Sequence, residues 1–192
     1  MRSAQFRMAL DGMWSATGRS VFTKGEIAGA LLPHDSPRAI EKTLATAVRD
    51  KLLVHVCRGL YAYRYARRAG AIREEIVLRL RPRSFSYVSL ETALSIWGVI
   101  DQEPLGAITV MSTGRSGRIG TPYGLILITH TARPVAKLMN EVVMPSPPED
   151  WLPCAKPRLA ARDLMRVGRN TDLIEWDEIP HAEKEAEREI NA

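Results

Sequence analysis

Between Phe22 and Tyr63 the chain carries a strict order of signals: two short helix patterns, then a strand, a tight turn and a second strand. The first helix opens at Thr23-Lys24-Gly25-Glu26, where a threonine cap and a glutamate three residues on can satisfy two orphan backbone N–H groups reciprocally. Pro33-His34-Asp35 reads as a turn. Ser36-Pro37 then supplies a capping hydroxyl before a proline at the first helical position, where the missing N–H costs nothing.

In the second helix Ile40, Leu44, Val48 and Leu52 recur at the spacing of one face, and the opposite face carries Arg38, Lys42, Thr46 and Arg49. Leu53-Val54-His55-Val56-Cys57 and Leu60-Tyr61-Ala62-Tyr63 flank Arg58-Gly59, a hairpin pattern with an arginine at its tip. Any small bundle has a helix with a charged, solvated outer face, so that helix alone decides little. The ordered set of capping box, turn, basic helix and glycine-centred hairpin is more restrictive, and it predicts a winged helix-turn-helix with the hairpin as the wing. Cations and a hydroxyl on an exposed helix are the groups that contact phosphates and base edges in a major groove. The expected DNA-contacting set is therefore Arg38, Lys42, Thr46, Arg49 and, from the wing, Arg58.

Charge is unevenly placed. Residues 1–83 balance to +9 and residues 84–192 to −4, so positive charge concentrates where the helix-turn-helix pattern lies and where a polyanion would be drawn. At 192 residues and 45% hydrophobic content the chain has room for one large or two small domains with a core. No stretch approaches the roughly 18 apolar residues of a membrane span, and the expectation is a soluble cytoplasmic protein with no membrane partner. Cys57 and Cys154 lack ligand-spaced partners and are expected reduced and packed, and the four scattered histidines form no metal motif.

Ahead of the capping box, Ala4 to Trp14 reads as a helix, with Phe6, Met8, Ala9, Leu10 and Met13 as its apolar positions. Arg64, Arg67 and Arg68 follow Tyr63, and Ala71 to Leu80 forms an amphipathic helix stopped by Pro82. This helix either bridges two domains or belongs to the second. Ser89 should cap a further helix that ends at Gly98. Ile108 to Met111 and Leu125 to Ile128 are strand patterns, joined by a loop from Ser112 to Gly124 read as a long hairpin or crossover. Met144 to Glu149 is a proline-rich break, and Pro157 to Val167 is a helix. The stretch from Asp172 on balances to −6 with little apolar content and reads as a frayed, solvated helix or flexible tail. The expected class is α+β: a winged helix-turn-helix over 1–68, a mixed α/β domain over 69–176, and an acidic flexible tail over 177–192.

Four stretches carry a family resemblance. Val21-Phe22-Thr23-Lys24-Gly25-Glu26-Ile27, Arg58-Gly59-Leu60-Tyr61, Tyr87-Val88-Ser89-Leu90-Glu91-Thr92-Ala93-Leu94 and Pro157-Arg158-Leu159-Ala160-Ala161-Arg162-Asp163-Leu164 together resemble the AbiEi-type antitoxins of type IV toxin–antitoxin and abortive-infection systems. The Tyr87–Leu94 stretch is the most specific of them. The resemblance implies a C-terminal antitoxin domain and autorepression through inverted repeats in the chain's own promoter. It also implies a nucleotidyltransferase-like toxin counteracted without a stable complex.

Other constellations carry less. Gly114-Arg115-Ser116-Gly117-Arg118-Ile119-Gly120 lacks the lysine and hydroxyl ending of a P-loop and reads as an exposed hairpin loop, with Arg115 and Arg118 as candidate secondary nucleic-acid contacts. Asp101 with Glu103, and Asp177 with Glu178, sit without a histidine or glycine-serine loop and read as surface charge. The serines lack a G-x-S-x-G setting, and Trp14, Trp97, Trp151 and Trp176 read as core or lid residues. The expectation is a non-enzymatic DNA-binding antitoxin with no catalytic residue, metal or cofactor, acting as a monomer or dimer on double-stranded DNA. Its rivals are an interaction module that grips a toxin directly and an orphan winged-helix regulator. A nucleotide-acting enzyme rests on the Gly114–Gly120 loop alone.

Overall fold

The computed structural model describes residues 3–66, 72–101, 106–145 and 151–190. The chain is a mixed α+β protein in two compact units, residues 1–80 and 81–192.

The first unit runs α1 (Ser3–Thr17), β1 (Val21–Thr23), α2 (Lys24–Leu31), α3 (Pro37–Arg49), β2 (Leu53–Cys57), β3 (Leu60–Tyr63) and α4 (Ile72–Leu80). The strands form an antiparallel sheet in the order β1-β3-β2. The helix starts form as their caps dictate. Thr23 Oγ1 accepts from the Glu26 N–H while the Glu26 carboxylate accepts from the Thr23 N–H, and Ser36 Oγ accepts from the Ala39 N–H ahead of Pro37. Phe6 and Leu10 of α1, Ile27 of α2, Leu44 and Ala47 of α3, and Phe22, Leu53 and Tyr63 of the sheet close one core. Met8, counted among the apolar positions of the first helix, points outward and is 73% exposed.

Helix α4 belongs to this unit through one buried charge. The Glu75 carboxylate, 1% exposed, accepts from the backbone N–H groups of Ser20 and Val21, each at 2.8 Å, and from the Ser20 hydroxyl. Three donors replace the water that burial removes, which a carboxylate requires inside a protein. Arg79 pairs with Glu26 and ties the same helix to α2. The expected boundary at 68/69, with Arg67, Arg68 and Ala71, lies outside the described residues, and the helix that follows packs on β1.

The second unit runs β4 (Ser86–Val88), α5 (Leu90–Ile96), β5 (Ala107–Ser112), β6 (Gly117–Thr121), β7 (Gly124–His130), α6 (Val135–Leu138), β8 (Val142–Val143), β9 (Cys154–Ala155), α7 (Pro157–Arg166) and α8 (Ile179–Ile190). Its sheet has the order β6-β7-β5-β4-β9-β8. Two sequence expectations change here. The loop expected from Ser112 to Gly124 contains β6, which pairs antiparallel with β7, while β5 and β7 run parallel. The short stretch 113–116 therefore arches over the end of β7 to reach the sheet edge. The acidic tail is likewise not a solvated one: α8 buries Ile179, Ala182 and Ala186 and packs on α7. The eight acids from Asp172 on obscured a stripe of apolar residues three and four apart, which suffices for close helix packing.

Ser89 stands at the cap position of α5, but its hydroxyl bonds elsewhere. Thr109 of β5 caps instead, accepting from the Thr92 N–H at 3.1 Å while Thr92 Oγ1 accepts from the Thr109 N–H at 2.9 Å. A tertiary contact thus does what a local hydroxyl was expected to do. The break after Met144 falls mostly outside the described residues, as does Glu103 beside Asp101. Cys57 and Cys154 are not disulfide-bonded, and burial pushes the Cys57 thiol up. Among the described residues no helix is long and apolar enough to cross a membrane, and no cluster of three or more histidines, cysteines or carboxylates is placed to hold a metal.

Candidate nucleic-acid interface

Helix α3 is anchored by Leu44 and Ala47, and that anchoring decides what faces outward. At 100° per residue Arg38, Lys42, Ala45 and Arg49 fall within about 60° of arc opposite the buried side. Thr46 lies about 40° beyond Lys42 and is half-buried on the shoulder of the stripe. Arg38 and Lys42 are exposed and have no carboxylate partner among the described residues. Arg49 is exposed too, with its guanidinium 3.3 Å from Asp50.

The hairpin stands beside this helix. Arg58 is exposed at the turn, Gly59 takes a φ of +75° that a side chain would strain, and the Gly59 carbonyl accepts from the Lys24 N–H at 2.8 Å. The tip is thereby tied to the first turn of α2. Between helix and hairpin runs a groove of about 840 Å³, lined by Lys24, Glu41, Ala45, His55, Arg58 and Tyr61 among others. Its floor is partly aromatic, with the His55 and Tyr61 rings 5.2 Å apart. Across it the Lys24 ammonium bonds Glu41 at 2.7 Å, and that bond with its charge holds the Glu41 carboxyl below its ordinary value.

The structure thus brings Arg58 to the rim of a groove that opens along the α3 stripe. It adds Lys24, Glu41, His55 and Tyr61, which the sequence reading left out. A β-bulge between His55 and Cys57 makes the difference. Counting outward from Cys57 opposite Leu60, an unbroken ladder would put Val56 against Tyr61; the bulge puts His55 there. Only the Lys24 position, at the start of a capped helix, carried a sequence signal.

Arg115 and Arg118 belong to the second unit, Arg115 on the arch and Arg118 on edge strand β6, both exposed. The motif stretches of that unit meet inside it. Tyr87 and Ser89, both fully buried, donate their hydroxyls to Asp163 Oδ2 at 2.9 Å each. Asp163 is itself fully buried, and its other oxygen lies 3.2 Å from Arg133 Nη1, so the two charges compensate one another. Burial, and then the Asp163 charge, push the Tyr87 hydroxyl pKa up, so it stays a neutral donor. Leu90, next in the chain, is buried at a left-handed φ of +60°. The network joins β4, α7 and the segment after β7, and its members are hydroxyls, a carboxylate and a guanidinium, with no histidine base among them. Of the four tryptophans, Trp97 is buried with its Nε1–H on the Ala155 carbonyl at 2.8 Å, while Trp151 and Trp176 are 42% and 49% exposed.

No protein-family model matches the chain, and no curated protein does. Among solved structures it is similar to the RV2827C protein from Mycobacterium tuberculosis, at 12% identity and a TM-score of 0.59, over 97% of this chain and 76% of that one. At that identity the likeness is one of fold.

Proposed function

We infer that the first unit is a winged helix-turn-helix that binds duplex DNA, with α3 as recognition helix and the β2–β3 hairpin as wing. The observation that carries this reading is the unpartnered stripe of Arg38 and Lys42, continued by Ala45 and Arg49, bordering a groove whose far rim bears Arg58. Long cationic side chains on an exposed helix can form charge-assisted bonds to phosphates and bidentate bonds to guanine, and a wing arginine can reach the adjacent backbone or minor groove. Together with the Tyr87–Leu94 and Pro157–Leu164 resemblance, this supports a DNA-binding antitoxin that represses its own operon and counteracts a nucleotidyltransferase-like toxin.

The test is binding of the full chain to its own promoter DNA across a salt series. Replacing Arg38, Lys42 and Arg49 together by alanine should abolish sequence-specific binding. Single replacements should separate a base contact, costing about 1–3 kcal/mol and relaxing specificity, from a phosphate contact, which weakens all sequences alike. Unimpaired promoter binding by the triple variant would refute the assignment of α3. A toxin-like reading frame beside the gene, and loss of its toxicity on co-expression, would support the antitoxin role.

A second reading, direct grip on a protein partner, is favoured by one feature of the second unit. Ala161, Met165, Trp176, Ile179 and Pro180 line an open apolar groove of about 360 Å³ between α7 and the start of α8. Exposed tryptophan and methionine are frequent anchors of protein interfaces. A stoichiometric complex that survives purification and is lost with Trp176→Ala would favour it.

A further inference from the structure

The second unit carries a net negative balance, yet the segments that meet at one end of its sheet contribute no carboxylate of their own. Three separate segments meet there: 81–86 leading into β4, 112–118 spanning the arch, and 128–134 leaving β7. They contribute Arg81, Arg83, Arg115, Arg118 and Arg133 with His130, and no aspartate or glutamate. A fourth element adds Arg166, whose Nη2 lies 3.4 Å from the His130 carbonyl.

The juxtaposition is built. His130 N–H donates to Ser116 Oγ at 2.9 Å and its Nδ1 lies 2.8 Å from the Gly114 carbonyl, so the arch is pinned at both ends to the tip of β7. Ser112 Oγ accepts from the Gly114 N–H at 3.1 Å. Gly114 packs so closely on the incoming segment that a Cβ there would sit 2.6 Å from Ser84 Oγ, and Gly117 lies under the Arg81 guanidinium. Glycine at position 114 is what lets the Arg81–Arg83 segment and the Arg115–Arg118 segment share one surface. A shallow concavity of about 430 Å³ opens among Thr113, Arg115, Ser116 and His130. Arg133 is spent on Asp163. Arg83, Arg115 and Arg118 have no acidic partner among the described residues, so three like charges share this end of the sheet without ion pairs of their own. Folding alone gives no reason for that arrangement, whereas a polyanion does.

We propose that this end of the second unit's sheet is a contact surface for a nucleic-acid phosphate backbone, engaged by Arg83, Arg115 and Arg118 and independent of α3. Guanidinium forks match phosphate oxygens, and the hydroxyls of Thr113 and Ser116 supply further donors. The surface contacts backbone without reading sequence, because its groups are cations and hydroxyls on a shallow face rather than an element shaped for a groove. The same chemistry serves DNA and RNA.

The experiment uses the full chain, with fluorescence anisotropy against a mixed-sequence DNA duplex, a single-stranded RNA and vesicles containing phosphatidylserine, over a potassium chloride series. The triple replacement R83A/R115A/R118A should weaken nucleic-acid binding and lower the slope of log affinity against log salt by about 2–3, as loss of three phosphate contacts requires. The effect should persist in a background already carrying R38A/K42A/R49A. Loss on duplex DNA alone, or on RNA alone, supports the surface and names its occupant. The lysine triple, R83K/R115K/R118K, should keep the salt slope, and circular dichroism reports whether each variant is folded. Unchanged affinity and slope for both nucleic acids in the folded alanine variant would overturn the proposal, as would a loss confined to the vesicles. Failure of the α3 variant to affect promoter binding bears only on the proposed function.

Discussion

Two buried side chains do more for the first unit than their sequence positions suggest. Glu75 replaces water with two backbone N–H groups and a hydroxyl. Glu75→Ala would strand those donors, each worth roughly 1–3 kcal/mol when buried and unsatisfied, so a loss of about 3 kcal/mol in urea unfolding is the expected outcome. Glu75→Gln should cost less, since one oxygen acceptor remains. Tyr63, 2% exposed, donates its hydroxyl to Asp11, and burial first, then Asp11, pushes its pKa up to about 12. Its raised value means that the folded state holds this proton more tightly than the unfolded chain does. The associated stability is complete below the ordinary tyrosine value near 10 and is lost as pH rises from there through about 12. Tyr63→Phe should flatten the fall in unfolding free energy over that alkaline window, with tyrosinate absorbance reporting one late-titrating group fewer.

Among the elements, α8 departs most from its sequence. Its acidic residues face solvent while Ile179, Ala182 and Ala186 meet α7. The alanines matter because they are small: a fully buried Ala186 leaves no room for a longer side chain. Ala186→Glu should destabilise the second unit by about 2 kcal/mol or more, through overpacking and an unpaired buried charge, which thermal unfolding will register as a lower midpoint. Ala186→Ser keeps the volume and should cost less. Helix α5 teaches a related lesson. Its serine cap was legible as a residue type, but the Ser89 hydroxyl bonds Asp163, seventy-four residues away, and the cap comes from Thr109. Local pattern located the helix start, and a long-range contact chose the bonding partner.

For the whole molecule, the useful boundary follows hydrogen bonds rather than composition. A fragment ending at residue 68 lacks Glu75 and Arg79 and leaves the Ser20 and Val21 donors open, whereas one ending at residue 80 keeps them. The 1–80 fragment should therefore unfold at clearly higher urea than 1–68, and equal midpoints would contradict the role assigned to α4. Charge partition shows the same limit. The negative balance of residues 84–192 is correct as a sum, but the structure brings Arg115, Arg118 and Arg133 of that half to one sheet end beside Arg81 and Arg83 of the other, and leaves many of the acids on and around α8. By itself the sequence determined the helix starts at Thr23 and Ser36, the outward α3 stripe, the hairpin at Arg58-Gly59 and the strands β2, β3, β5 and β7. Those depend on neighbours within about four residues, through capping, turn conformation and face periodicity. Tertiary structure alone decided the place of α4, the bulge that sets His55 opposite Tyr61, the strand hidden after the arch and the arginine cluster. The place of α4 and the arginine cluster join segments far apart in the chain, while the bulge and the hidden strand are hairpin pairings whose register face periodicity does not fix; no local pattern encodes which group will satisfy a buried donor or share a surface.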